Sequence, residues 1–254
     1  LVKAVPIFLC SLGVAIAFRL QIWNIGAEGQ YALGAVGATW MALRFADWPG
    51  YVLLPGMLIG ASITGGLWGL APALLKVRLR ANEIIITLML NYIAVLLLDY
   101  LVYGPWKDPD AQQNWSLPFP ESLHLPRIIE GLRLHSGLII ALLCVPFVFI
   151  IMRRSILGYE IRVLGESREA ARYGGIDVTQ TILKLAILSG GLAGLAGWGE
   201  IFGIQFRALD GFSLSFGFTA IMVAFLGKNK PFGVLIMAIF FGAILEGGDA
   251  MKRG

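Results

Sequence analysis

Apolar residues fall into long runs separated by short polar stretches, and the length of the runs sets the fold class. A helix that crosses the hydrocarbon core of a bilayer needs about 20 apolar residues. Positions 52–75, 84–103 and 182–204 meet that length. Shorter runs occupy 4–18, 31–45, 137–152, 216–226 and 232–245. The pattern predicts an all-α fold: a polytopic transmembrane helical bundle of about eight membrane segments, some short or broken, forming one domain over 1–254. At about 1.5 Å per residue the run 216–226 extends only about 16 Å. It is therefore expected to be a half-helix or part of a longer, polar-tolerant one, its free backbone groups covered by protein.

Basic residues set the expected orientation. Loops 76–80, 153–181 and 228–230 carry ten Lys or Arg, whereas loops 46–51, 104–136 and 205–215 carry four. The bias predicts that the first set faces the cytoplasm. Strict alternation then leaves Lys252 and Arg253 on the far side, against the trend. Loop 104–136 is rich in Pro, Trp, Asn and Gln and reads as an ordered external cap. Loop 153–181 interleaves Glu160, Arg162, Glu166, Arg168, Glu169 and Arg172 with apolar residues, which predicts short amphipathic helices.

Composition agrees with a lipid environment. Hydrophobic residues make up 57% and charged residues 14%, with a mean hydropathy of +0.77, whereas a soluble domain carries about 25% charged residues. The 32 glycines suit close helix packing in a bilayer. A net charge of +4 matches basic loops and gives no reason to expect nucleic-acid binding. Cys10 and Cys144 lie inside apolar runs and read as small buried hydrophobes. His124 and His135 are too isolated for a metal site, and no cofactor is expected. The chain opens at Leu1 with neither an initiator Met nor a signal-peptide pattern, so a fragment is expected whose outer helices lie beyond both ends.

Three segments carry candidate chemistry. Asn24-Ile25-Gly26-Ala27-Glu28-Gly29-Gln30 sets two amides and a carboxylate between two apolar runs, with Gly26 and Gly29 weakening any helix. It reads either as a polar site beside a broken helix or as a short surface loop. In the second, Glu83, Thr87 and Asn91 recur at i, i+4 and i+8, forming one polar stripe on an apolar helix. The stripe suits a hydroxyl-rich or heterocyclic solute, or else hydrogen bonds between helices, and Asn82 and Glu83 suit a helix start. In the third, Arg168-Glu169-Ala170-Ala171-Arg172 ends in Gly174-Gly175, a helix stop on either a partner-docking helix or a solvated connector. No nucleophile elbow, zinc-protease motif or Walker loop is present. Any ATP site must lie on another polypeptide, and an enzyme is not expected.

These segments together resemble permease subunits of bacterial ABC importers of the branched-chain amino acid and simple-sugar type. The likeness is greatest to the nucleoside and simple-sugar branch, whose Asn-Ile-Gly-x-Glu-Gly-Gln motif matches residues 24–30. The branch's Asn-Glu-x-Ile-x-Thr-x-Met-Leu-Asn-Tyr-Ile segment matches 82–93, and the glycine-rich run 190–197 and the stretch 211–251 are also similar. The resemblance implies a permease of the cytoplasmic membrane. Its implied partners are a second permease subunit, two cytoplasmic ATP-binding subunits and an external solute-binding lipoprotein of the basic membrane protein class. It also implies a substrate pathway along Asn24, Glu28, Gln30, Glu83, Thr87 and Asn91, for a nucleoside or, second, a simple sugar. Glu169-Ala170-Ala171 with Gly175 is similar to the start of the Glu-Ala-Ala coupling motif, which with Arg162 implies ATPase coupling; the downstream Ile and Leu-Pro are absent. Family members extend past both ends of this chain. The rival expectation is an ion-coupled secondary transporter or channel that works without an ATPase.

Overall fold

The computed structural model describes residues 1–128, 131, 133–212 and 215–253, except the side chain of residue 253. The described chain contains α1 (Ala4–Arg19), α2 (Ala27–Arg44), α3 (Gly50–Leu79), α4 (Glu83–Tyr103), α5 (Gly137–Arg154), α6 (Ile156–Glu166), α7 (Arg168–Tyr173), α8 (Val178–Glu200), α9 (Phe216–Leu226) and α10 (Pro231–Arg253). A 3₁₀ turn lies at Glu121–Leu123, and a π turn at Ile201–Gln205 prolongs α8. Among the described residues, five helices are long and apolar enough to cross a membrane: α3, α4, α5, α8 with its π turn, and α10. With α1, α2 and α9 they account for the eight expected segments, and α6 and α7 are the short helices expected in loop 153–181.

The boundaries move where polar capping outweighs hydropathy. α2 starts at Ala27, four residues before its apolar run, and so takes Glu28 and Gln30 into the helix. A carboxylate in the first turn complements the N-terminal dipole, which makes that polar start favourable. α8 likewise starts at Val178, because Asp177 Oδ1 accepts from the Gln180 N–H at 3.0 Å. Asn82 caps α4 through the Ile84 N–H at 3.0 Å, as its side chain suggests.

α2, α3 and α8 form the tightest part of the bundle, and glycine makes the approach possible. A Cβ on Gly194 of α8 would run into the Ala61 carbonyl of α3, and one on Gly34 of α2 into the Gly194 backbone. Small residues at such contacts let helices meet backbone to backbone, where dispersion and not hydrophobic exclusion provides the attraction. α1 packs against α8, α9 and α10, whereas α5 lies at the edge. The outer faces of α4 (Ile85, Tyr92, Leu96) and α5 (Ile139, Leu143, Ile150) are exposed and apolar, as a lipid-facing surface requires.

All three basic loops meet at one end of the bundle, the basic end. There Arg19 donates to the Asn229 carbonyl at 3.1 and 3.2 Å, and Gln21 to the Gly165 carbonyl at 3.2 Å. At the other end, residues 114–125 lie along 202–210 and close the bundle like a cap. Ser116 N–H donates to Ala208 O at 2.9 Å, Phe119 N–H to Phe206 O at 3.0 Å and Leu125 N–H to Phe202 O at 2.9 Å.

Candidate functional site

Two helices start inside the bundle instead of at its surface. After α1 ends near the basic end, residues 20–26 fold back between the helices, and α2 begins beside α9. Glu28 Oε2 accepts the Gly217 N–H at 2.6 Å, and a Cβ on Gly217 would overlap the Glu28 backbone. The two helix N-termini therefore converge on one buried carboxylate. A carboxylate deep in a bilayer protein is costly alone, and two positive dipole ends offset that cost. Asn91 of α4 holds the same turn: its Oδ1 accepts the Gly29 N–H at 2.8 Å, and its Nδ2 donates to the Ile25 carbonyl at 2.8 Å.

One turn nearer the basic end lies a second polar group. Asn24 and Gln30 exchange amide hydrogen bonds at 3.1 and 3.2 Å, and Asn24 Nδ2 also donates to Ser189 Oγ at 3.0 Å. Ser189 Oγ in turn donates a hydrogen bond to the Gly13 carbonyl at 2.8 Å, tying α1 to α8. This amide cluster forms part of the wall of a small cavity of about 30 Å³. Gly69, Pro72, Thr87 and Ala186 contribute to the walls, and Lys76 and Glu83 stand toward the basic end. Lys76 Nζ meets Glu83 Oε1 at 2.6 Å, both side chains largely buried.

Of the six residues expected along a substrate pathway, Asn24, Gln30, Glu83 and Thr87 line this cavity. Glu28 and Asn91 do not; both are buried above it and hold helix ends together. Ser189 and Lys76 line it although the sequence reading passed them over. Ser189 sits beside the glycine run 190–197, where a lone hydroxyl among small residues was the available signal.

The residues expected to couple to an ATPase lie at the basic end. Arg162 of α6 donates to the Met152 carbonyl. Ser167 separates α6 from α7 by accepting the Ala170 N–H at 3.2 Å. α7 ends as its glycine pair predicts: Gly175 has φ +74°, Gly175 N–H bonds the Arg172 carbonyl at 3.0 Å, and Ile176 N–H bonds the Ala171 carbonyl at 2.9 Å. Those two bonds are the Schellman stop. Ala171 is buried, whereas Glu169, Ala170 and Gly175 are exposed. Tyr173, the residue before the glycine pair, projects into solvent at 93% exposure. No group of three or more His, Cys, Asp or Glu able to hold a metal ion occurs among the described residues.

This architecture has a match in sequence families. The family model for the permease component of branched-chain amino acid transport systems matches residues 1–253. The chain belongs to that family. Its relatives carry more specific names. The chain is 38% identical to the guanosine ABC transporter permease protein NupP of Bacillus subtilis (strain 168), over 95% of this chain and 70% of that protein. It is 35% identical to the glucose ABC transporter permease protein TsgB13 of Haloferax volcanii, over 99% and 69%. It is 31% identical to the nucleoside ABC transporter permease protein NupB of Lactococcus lactis subsp. cremoris, over 98% and 71%. No solved structure matches. The chain is thus a multi-pass ABC importer permease of the cytoplasmic membrane, a transport subunit working with ATP-binding and substrate-binding partners.

Proposed function

We propose that this permease carries a nucleoside into the cell by alternating access, with the basic end in the cytoplasm. The observation that supports it most is the cavity toward the basic end, where Asn24, Gln30, Thr87 and Ser189 present amides and hydroxyls in an otherwise apolar bundle. Such groups match the hydrogen-bonding edges of a base and a ribose. On this reading the amide cluster is the closed gate, Lys76 and Glu83 flank the cytoplasmic mouth, and Glu28 and Asn91 hold the helix ends that move around it. The identities to guanosine and nucleoside permeases favour nucleoside cargo. The glucose relative favours a simple sugar as the second reading.

The partners on this reading are a second permease subunit, homologous or identical, two ATPase subunits at the basic end and an external solute-binding lipoprotein. The short helix α7 presents Glu169, Ala170 and Tyr173 to the ATPase, with Arg162 and the Gly175 stop fixing its position. Residues 104–136 face the binding protein.

The test is uptake of labelled guanosine by cells expressing the full complex. Gln30→Ala and Thr87→Val each lower uptake roughly tenfold, the loss of about one hydrogen bond to the cargo. Unchanged uptake in both variants, at normal membrane levels, overturns the pathway. A panel of nucleosides and sugars against the purified binding protein, read by its melting temperature, decides the cargo class.

A further inference from the structure

We propose that the seam between α1, α5 and α10 holds an anionic phospholipid, its headgroup on an arginine cluster at the basic end. Three guanidiniums gather there. Arg19 closes α1, Arg153 lies in the last turn of α5, and Arg162 of α6 donates to the carbonyl of Met152, the residue before Arg153, which lines one crevice with Arg19. Like charges repel, so such a grouping asks for an anion. Among the described residues the ion pairs are Lys3 with Glu246 and Asp249, and Lys76 with Glu83; none of the three arginines has a carboxylate. Their bonds within the chain are to carbonyls, Arg19 to Asn229 and Arg162 to Met152. Arg153 stacks on the Phe149 ring at 5.0 Å. Arg153 and Arg162 are exposed.

The apolar half of the site starts at the same place. Arg19 borders a narrow crevice of about 10 Å³ walled by Leu12, Ala15, Ile16, Val148, Met152 and Pro231. Farther along the same three helices a second cleft, about 180 Å³, is lined by apolar residues alone, among them Val5, Phe8, Leu138 and Leu235. α5 packs only lightly on α1 and α10, which is why the seam stays open. A basic mouth on an apolar cleft that follows the helices fits an acyl chain under a phosphate. Basic pockets between transmembrane helices are where such headgroups bind, and charge complementarity favours this occupant over a second protein helix.

The experiment uses the intact transporter complex, delipidated in a neutral detergent, and measures its melting temperature on adding phosphatidylglycerol, phosphatidylcholine or inorganic phosphate. Phosphatidylglycerol alone raises it. Arg153→Gln with Arg162→Gln weakens the apparent affinity roughly thirtyfold, two juxtamembrane charges' worth. Ala15→Phe, which fills the cleft and leaves the arginines in place, reduces the same response. Equal stabilisation by phosphatidylcholine, or a full response in the double variant, overturns the proposal. A matching rise with inorganic phosphate reduces the site to an anion site without a lipid and overturns it as well. Should the double variant fail to assemble, the Ala15→Phe complex and the lipid comparison on the unaltered complex decide.

Discussion

The polar interior divides into two regions that look alike in sequence and behave differently in space. In the upper region, Glu28 and Asn91 bond backbone groups: the Gly217 and Gly29 N–H groups and the Ile25 carbonyl. In the lower region the Asn24 and Gln30 amides bond each other and line the cavity with Thr87 and Ser189, although Asn24 also accepts the Gly26 N–H at 3.1 Å and Ser189 donates to the Gly13 carbonyl. A side chain that satisfies a buried backbone group cannot leave without orphaning it. Side chains that satisfy each other can exchange those bonds for a solute. By that criterion Glu28 and Asn91 are suited to hold geometry, and Gln30, bonded only to the Asn24 side chain, to handle cargo.

The sharpest way to break this division is Asn91→Ala. It orphans a buried N–H and a buried carbonyl, at about 1–3 kcal/mol each, so the complex should melt far earlier and accumulate poorly. Retained stability would move Asn91 out of the holding region. Burial also loads the cap loop, where His135 has its pKa lowered to about 4 by loss of solvent. The folded state therefore resists protonation that the unfolded state accepts near pH 6.5. The resulting contribution, about 3 kcal/mol, is complete above pH 6.5, falls as the pH drops through the window from 6.5 to 4, and is lost below it. Melting curves across that range should show the slope in the parent and lose it in His135→Gln.

Next comes Glu28→Gln, which keeps a hydrogen-bond acceptor but removes the charge between two helix ends. It should cost about 1–2 kcal/mol and lower the melting temperature, with uptake per folded complex little changed. An uptake loss at unchanged stability would assign Glu28 to the cargo route instead. The smallest effect expected on stability is that of Gln30→Ala, because one partner of a mutual amide pair is lost beside a cavity that water can enter. Its melting temperature should stay near the parent's while uptake falls, the reverse of Asn91→Ala.

Much of this was readable from the chain. Eight membrane segments, the half-helix Phe216–Leu226, the two short helices in loop 153–181 and the glycine stop after Tyr173 all follow from run length, amphipathic spacing and capping chemistry. The start of α2 did not, since hydropathy treats Glu28 and Gln30 as loop residues and cannot anticipate that a second helix N-terminus will meet them. The division of the stripe Glu83, Thr87 and Asn91 was equally hidden. All three share one helix face by period, yet Asn91 bonds the turn at Ile25–Gly29, whereas Thr87 packs against Gly26 at the cavity wall and keeps its hydroxyl on the Glu83 carbonyl. Only the fold of residues 20–26 decides which neighbour each one meets. Lys76 escaped notice because it sits in a basic loop motif, where a role in orientation accounts for it without any partner.

The carboxylate between α2 and α9 has one more consequence, for charge selectivity. Helix N-termini pointing into a protein interior are natural seats for phosphates and carboxylates. Here that position is taken by Glu28, so the middle of the bundle offers an anionic molecule no unfilled attraction and adds a repulsion. On the proposed import route, a phosphorylated compound is disfavoured relative to its uncharged parent before any contact with the amides or hydroxyls is made, and the bundle screens cargo for neutrality through its own backbone dipoles and one internal counter-ion.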